Sequence, residues 1–325
     1  MSAALASLRG AARWKWWEIA AFAALAASWF ALPGRALLVN EIAILALFAL
    51  SLDLILGYAG IVSLGHAAFY GFGAYTAALF AQAGHGDPWL GLAVGVFASG
   101  LLGLVTSPLI LRGSDLTRLM VTLGIAAILY ELANKFSDIT GGADGLQGVL
   151  MGPVMTPFGR FDFDMNGRVA CAYSLFVLIV SLLICRRVVQ SPLGVSLQAV
   201  RDNRLRVASI GLSVNGRLVA VYTLAACLAG AAGALAAQTS GFASLDLFGF
   251  NRSADVMMVL VIGGTGWLWG GVAGAVVFKL LYDLISAWTP QYWNFWLGLF
   301  LVVLMLVGRE RLLSPRRLFA RGGSR

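Results

Sequence analysis

Residues 38–57 of this 325-residue chain read LVNEIAILALFALSLDLILG, a run in which apolar side chains predominate. An α-helix needs about 20 such residues to cross the hydrocarbon core of a bilayer. Comparable runs recur along the whole sequence, with 60% hydrophobic and 12% charged residues overall. Soluble domains carry about 25% charged residues. The sequence therefore predicts an all-α integral membrane protein and excludes a disordered chain, a disulfide scaffold and an ordinary cytosolic enzyme.

About ten membrane segments are predicted. They cover residues 17–33, 38–57, 62–83, 89–110, 117–134, 169–185, 217–238, 253–266, 270–287 and 292–307. The eighth segment is too short to cross alone. A glycine-rich stretch lies at the end of the eighth segment and another at the start of the third. These features indicate broken or re-entrant helices. We expect a cytoplasmic N-terminal segment (1–16), one transmembrane domain (17–308) and a basic cytoplasmic tail (309–325).

Basic residues set the predicted orientation. The net charge of +8 is explained by lysine and arginine that flank membrane segments, so it does not indicate a nucleic-acid partner. With the N-terminus inside and ten crossings, 17 of the 23 Lys and Arg residues lie inside and five outside. This bias predicts that both termini are cytoplasmic. The first segment also resembles a secretory signal, and we interpret it as an uncleaved helix.

The outer of two long connections, about residues 135–168, is rich in Gly, Pro and Asp. This composition predicts turns rather than a soluble domain. The connection is either a solvated linker or a surface that receives another component on the outer face.

The inner connection, about residues 186–216, carries the signals of one short amphipathic helix. Ser191 and Pro192 suit its start and Gly211 suits its end. Its apolar stripe consists of Leu193, Leu197, Val200, Val207 and Ile210. Three interpretations are open: the helix lies on anionic lipid, it belongs to a solvated linker, or it docks into a groove of a partner. Its own start, stop and stripe favour the partner.

Signals for catalysis and metal binding are missing from the sequence. The three lysines are Lys15, Lys135 and Lys279, and none follows Gly, so a P-loop is absent. Two histidines are too few for haem pairs or metal clusters, which also argues against a scaffold subunit of a respiratory complex. These absences argue against a membrane-embedded enzyme.

Acidic residues nevertheless occur within the predicted membrane segments. They are Asp53, Glu131, Asp255 and Asp283, with Glu41 near the end of a segment. Such residues often serve function and usually face the interior of the bundle. They form either the proton relay of a secondary transporter or hydrogen bonds at helix ends and between helices. Lys279 stands four residues before Asp283, a spacing suited to an ion pair on one helix.

A short internal repeat places glycine-rich breaks in two parts of the chain. The first glycine triplet is Gly57, Gly60 and Gly65. A second triplet with the same spacing is Gly263, Gly266 and Gly271. Transporters built with broken helices show such a pattern.

Four stretches taken together resemble the branched-chain amino acid ABC transporter permease family of the LivM type. They are GYAGIVSLGHAAFYGFGAYTAAL (57–79), ITGGADGLQGV (139–149), SPLGVSLQAVRDNRLRVASIGL (191–212) and VIGGTGWLWGGVAGA (261–275). Their order and spacing match the family over about residues 38–308.

The resemblance implies an importer of the bacterial inner membrane that is assembled from several chains. Its other members would be a second homologous permease, two ATP-binding cassette ATPases and a periplasmic solute-binding protein. ATP and magnesium would bind to the ATPases, and this chain would hold no cofactor.

The resemblance also implies roles for individual residues. The residues assigned to the ATPase-coupling segment are Arg201, Asp202, Asn203 and Gly211. The family pattern leads us to expect an acidic residue near position 204, where this chain has Arg204. Candidates for the pathway or its gate are Ser63, Gly65, His66, Gly263, Gly264 and Gly266. Candidates for periplasmic docking are Gly141, Gly142 and Asp144. Considered by itself, His66 also fits the simpler interpretation of a buried histidine at a glycine-rich turn.

Two other functions stay open at this point. Related permeases carry urea, amides or aromatic acids, so the motifs do not fix the substrate. A proton-coupled secondary transporter that uses Asp53, Glu131 or Asp255 belongs to another class, and substitution of each by Asn separates the two classes.

Overall fold

The computed structural model describes residues 15–31, 33–156, 159–164, 166–288, 292, 295–296, 298–300 and 302. The named helices are α1 (Trp16–Ala31), α2 (Ala36–Asp53), α3 (Ala67–Gln82), α4 (Pro88–Leu111), α5 (Asp115–Lys135), α6 (Arg168–Val189), α7 (Pro192–Asp202), α8 (Arg204–Ser209), α9 (Val214–Ser240), α10 (Phe250–Gly263) and α11 (Gly270–Trp288). A π-helical turn, Leu54–Tyr58, continues α2, and one helical turn, Ser137–Thr140, follows α5. Short 3-10 turns lie at Pro33–Arg35, Gly142–Asp144 and Leu245–Phe248.

Six helices of the described residues are long and apolar enough to cross a membrane, as expected for an all-α membrane protein. They are Ala36–Tyr58, Pro88–Leu111, Asp115–Lys135, Arg168–Val189, Val214–Ser240 and Gly270–Ala287. Helices α1, α3 and α10 are shorter, with 16, 16 and 14 residues. The count of ten segments and the orientation of the termini therefore stay predictions. The tenth segment and both terminal segments fall mostly or wholly outside the described residues.

The outer connection departs from the helical pattern in one short antiparallel hairpin, β1 (Val154–Thr156) and β2 (Gly159–Phe161). It is fastened to neighbouring helices by backbone and side-chain hydrogen bonds. Leu146 and Ala243 exchange two backbone hydrogen bonds of 2.8 and 3.0 Å, and the Trp89 indole donates to the Met155 carbonyl at 3.0 Å.

The two long connections lie at opposite ends of α6, whose 22 residues separate them by about 33 Å. We call these the hairpin end and the α7–α8 end of the bundle. Local signals explain several helix starts. At the hairpin end, for example, Asp87 accepts a hydrogen bond from the Trp89 backbone at 2.9 Å and Pro88 is the first residue of α4.

Helix α9 lies at the centre and packs closely on α3 and α4 through small residues. Gly233 lies directly against the Tyr70 carbonyl of α3, and Gly73 of α3 lies against the Gly230 backbone. A side chain at any of these glycines would overlap with the neighbouring helix. Small residues let helix backbones approach to this distance in membrane proteins, and the resulting core positions the breaks described below.

Helix α1 is fastened to the bundle at the α7–α8 end. Arg186 of α6 donates to one Glu18 oxygen through Nη2 at 2.9 Å and Nε at 3.2 Å, and both side chains are buried. The Trp17 ring lies 6.4 Å from both Trp267 and Trp269. Helix α1 therefore supports the segment between α10 and α11.

Candidate functional site

Two non-helical segments interrupt the bundle, and both are glycine-rich. The first break, residues 59–66, separates α2 with its π turn from α3, and the second break, residues 264–269, separates α10 from α11. Gly60 and Gly266 occupy equivalent positions of the internal repeat and have φ values of +70° and +75°. This left-handed conformation favours glycine, so the repeat in sequence is also a repeat in backbone conformation.

The second break meets the end of α2 and its π turn. Asp53 Oδ1 accepts a hydrogen bond of 2.7 Å from the Gly266 backbone N–H. Gly57 lies between them, and a Cβ at this position would overlap with both the Asp53 carboxylate and the Gly266 nitrogen. Asp53 is 1% exposed. The carboxylate therefore joins the two halves of the repeat inside the protein.

Arg201 of α7 reaches the same place from the α7–α8 end. Its Nη1 donates a hydrogen bond to the Gly57 carbonyl. Its Cγ occupies the space that a side chain at Gly60 would need. We call Asp53, Gly57, Gly60, Arg201 and Gly266 the Arg201 junction. This junction places the α7–α8 segment in direct contact with both breaks.

The α7–α8 segment differs from the single helix that the sequence predicts. It breaks at Asn203, whose side chain accepts a hydrogen bond from the Arg206 backbone at 2.9 Å and so caps α8. Pro192 is the first residue of α7, as predicted, but the Ser191 hydroxyl donates to the Val188 carbonyl at 2.6 Å and does not cap the helix. Gly211 follows α8 with φ +78°, in agreement with the predicted stop.

Most of the predicted apolar stripe packs against this chain and not against a partner. Leu197 and Val200 are each 1% exposed and Val207 is 3% exposed. The large apolar side chains that remain exposed on this segment are Val195 at 48%, Leu205 at 81% and Ile210 at 67%. Sequence periodicity missed Leu205 because this residue lies off the stripe.

The predicted coupling residues thus take different positions. Arg201 turns inward to the junction and also lies 3.5 Å from the Asp202 carboxylate. Asp202 is exposed, whereas Asn203 and Gly211 shape the ends of α8. Their role towards an ATPase stays a prediction.

Residues of the first break are buried and packed. His66 Nε2 lies 2.9 Å from the Ser51 hydroxyl, and that hydroxyl donates to the Phe48 carbonyl at 2.6 Å. These bonds assign the ring proton to Nε2. The imidazole stacks on Phe48, with centroids 5.6 Å apart. His66 therefore has the environment of a packed, buried histidine, and its role in a gate stays a prediction.

The remaining candidates of the first break contact other helices. Ser63 is fully buried beside the Tyr222 hydroxyl of α9. Gly65 lies against the Thr122 carbonyl of α5, so that a Cβ there would overlap with it. The first break is therefore held between α5 and α9.

The second break is a tight glycine turn. Gly264 has φ +96° and its N–H donates to the Leu260 carbonyl at 2.6 Å. Gly263 and Gly270 lie so close that a Cβ on either would overlap with the backbone of the other side of the turn. The candidates Gly263, Gly264 and Gly266 thus occupy one turn, which α1 covers through its tryptophan contacts.

The docking candidates of the outer connection lie at the hairpin end, where Gly142 is buried. Gly141 and Gly142 have φ values of +73° and +55°, consecutive conformations that favour glycine. Asp144 follows them and is exposed. The nearby Leu150 is 83% exposed.

Two acidic residues of α2, Asp53 and Glu41, have partners outside that helix, whereas Asp283 pairs within α11. Asp53 bonds to Gly266, and Lys279 of α11 lies 2.6 Å from Glu41 of α2 and 3.6 Å from Asp283. These contacts agree with the interhelical reading. Glu131 is exposed on α5, and Asp255 is partly buried on α10. The part of the chain that the structure describes contains no cluster of three His, Cys, Asp or Glu side chains suited to a metal ion.

Comparison with known proteins places these features in a protein family. The family described as branched-chain amino acid transport system / permease component matches residues 35–308. The high-affinity branched-chain amino acid transport system permease protein LivM of Escherichia coli (strain K12) is 30% identical over 292 residues, which cover 83% of this chain and 67% of that protein. LivM of Salmonella typhimurium (strain LT2) gives the same values.

A more distant relative is a permease for sugars. The galactose/methyl galactoside import permease protein MglC of Haemophilus influenzae is 24% identical over 202 residues, which cover 60% of this chain and 59% of that protein. No solved structure matches the chain.

Proposed function

The chain belongs to the family of permease components of branched-chain amino acid transport systems, and from that premise we propose that it forms half of the translocation pathway of an ATP-driven importer for branched-chain amino acids. The relatives are membrane permease proteins, and the six long apolar helices fit that role. The chain has no P-loop sequence. ATP hydrolysis would therefore come from separate subunits.

The proposed assembly contains a second homologous permease, two ATPases on the cytoplasmic face and a solute-binding protein outside the inner membrane. The ATPases would contact the α7–α8 segment. Leu205 and Ile210 supply exposed apolar area there, and burying one such side chain contributes about 1.5–3 kcal/mol. The solute-binding protein would contact the outer connection around Asp144 and Leu150.

The observation that supports this function best is the Arg201 junction. Alternating access requires that a movement on one face of the membrane reach the helices that line the pathway. The α7–α8 segment contacts both breaks through Arg201, and breaks in helices are where a bundle absorbs changes of φ and ψ. The ATPases would move this segment as they close on ATP.

A proton-coupled secondary transporter fits the geometry less well. Asp53 Oδ1 accepts the Gly266 N–H and the residue is 1% exposed, so in this structure the carboxyl group serves a packing contact and has almost no exposure to solvent. Glu131 is exposed and lies near the C-terminal end of α5. It is 16 residues, or about 24 Å, from Asp115 at the start of that helix.

The test is purification of the tagged chain from its native host, followed by reconstitution. We expect a second permease and two P-loop ATPases to co-purify, and ATP-dependent uptake of leucine, isoleucine and valine into proteoliposomes. Urea, amides, aromatic amino acids and galactose serve as competing substrates. Uptake by the isolated chain without ATP, abolished by Asp53→Asn, would instead establish the secondary transporter.

A further inference from the structure

We propose that Arg201 is a positioning residue that makes the two glycine-rich breaks move together with the α7–α8 segment. The proposal rests on the proposed function, because it assigns the step between ATPase movement and opening of the pathway. It differs from docking, since Arg201 Nη1 bonds to the Gly57 carbonyl of this chain and the proposed docking surface lies on other residues of the segment.

The shape of the junction supports the first step of the argument. Gly57, Gly60 and Gly266 surround the Arg201 side chain, and at Gly60 a Cβ would overlap with the Arg201 Cγ. A Cβ at Gly266 would lie 3.5 Å from Nη1. Glycine at these positions leaves a passage through which a long side chain of α7 reaches the Gly57 carbonyl. Displacement of α7 must therefore move the first break or break this contact.

The charge of the junction supports the second step. Asp53 uses Oδ1 to hold the Gly266 N–H, while Oδ2 is buried and has no hydrogen-bond partner among the described residues. The Arg201 guanidinium reaches the same place, because Nη1 donates to the Gly57 carbonyl and a Cβ at Gly57 would overlap with the Asp53 carboxylate. A buried charge is strongly unfavourable without an opposite charge nearby. The second break, bound to Asp53, therefore favours positions in which Arg201 stays close.

The junction also offers Arg201 an alternative position. Its Nε lies 3.5 Å from the Asp202 carboxylate, and the Arg201 side chain is 44% exposed. The guanidinium can therefore leave Gly57 and remain paired to Asp202 at the surface. The position of Arg201 would then report whether α7 and the breaks are engaged.

The experiment uses the complete transporter in proteoliposomes and measures substrate imported per ATP hydrolysed. The first variant, Arg201→Met, removes the guanidinium. The second, Gly60→Ala, keeps Arg201 but adds a Cβ that would overlap with the Arg201 Cγ and displace the side chain. Arg187→Met is the matched control, because it removes one exposed arginine at the end of α6, outside the junction. We expect both junction variants to retain their ATPase subunits and to lose about fivefold or more in the ratio of import to hydrolysis. The control should keep the ratio of the unaltered protein.

Two further measurements separate coupling from general damage. Arg201→Lys keeps the charge and should recover part of the ratio, and Asp53→Asn should partly restore import to Arg201→Met because it removes the orphaned charge. Amide hydrogen exchange in Arg201→Met should rise in residues 59–66 and 264–269 together. An unchanged import ratio, or faster exchange at one break alone, would overturn the proposal. Lack of ATP-driven import by the unaltered complex would instead refute the proposed function.

Discussion

The buried ion pair between Glu18 and Arg186 predicts how firmly α1 is attached to the bundle. The side chains are only 11% and 8% exposed, so the pair belongs to the buried class. Removing one partner of a buried pair costs about 3–5 kcal/mol, whereas exposed pairs contribute about 0–1 kcal/mol. Glu18→Gln keeps the shape but removes the charge that accepts two Arg186 N–H groups. We therefore expect a loss of about 3 kcal/mol in the free energy of unfolding.

Unfolding in mixed micelles, followed by tryptophan fluorescence, measures this loss, because Trp17 of α1 packs on Trp267 and Trp269. The double variant Glu18→Gln/Arg186→Met leaves no buried charge at this site and should recover much of the stability. A loss of less than about 1 kcal/mol in Glu18→Gln would refute the reasoning, because that is the value of a solvated pair. It would also mean that α1 is not docked as described.

Three further predictions test the core and the α7–α8 segment. Gly233→Ala should destabilise the protein by about 1–3 kcal/mol, because its Cβ would overlap with a carbonyl of α3; Gly124→Ala in open space on α5 should be neutral or stabilising in the same unfolding assay. Asn203→Ala removes the α8 cap at a cost of about 1 kcal/mol, and hydrogen exchange should quicken in α8 and not in α7. Leu205→Ala should reduce the ATPase retained on purification, while the equally exposed Leu150→Ala at the hairpin end should not; equal retention in both would place the ATPase elsewhere.

The internal repeat shows how far a sequence signal extends. The shared spacing predicted similar breaks around Gly60 and Gly266, and both residues have the left-handed backbone that only glycine adopts readily. The spacing carried no information on whether the breaks touch. The contact that forms is between Asp53 of α2 and Gly266 of the second break, 213 residues apart in the sequence, and it depends on the packing of α2 against α10 and α11.

The α7–α8 segment shows why an apolar stripe can be misread. The sequence predicted an amphipathic helix for a partner, and the residues at helical spacing are indeed apolar. Leu197, Val200 and Val207 nevertheless pack on this chain. Periodicity identifies which face is apolar, but the neighbour that covers it is a property of the assembled bundle. Asn203 was equally ambiguous, because one residue can be a helical position or a cap between two helices.

The sequence by itself determined the membrane class, the approximate helices, the glycine-rich breaks and the family, because these depend on composition and on patterns within a few residues. Apolar run length, Pro192 at a helix start and Gly211 after a helix end act locally along the chain. Only the tertiary structure decided that Arg201 bonds to the Gly57 carbonyl, that Asp53 bonds to the second break and that Glu18 pairs with Arg186. These contacts join residues more than a hundred positions apart. Their partners are chosen by the close packing of helices, where glycine and alanine let some backbones meet and larger side chains keep others apart.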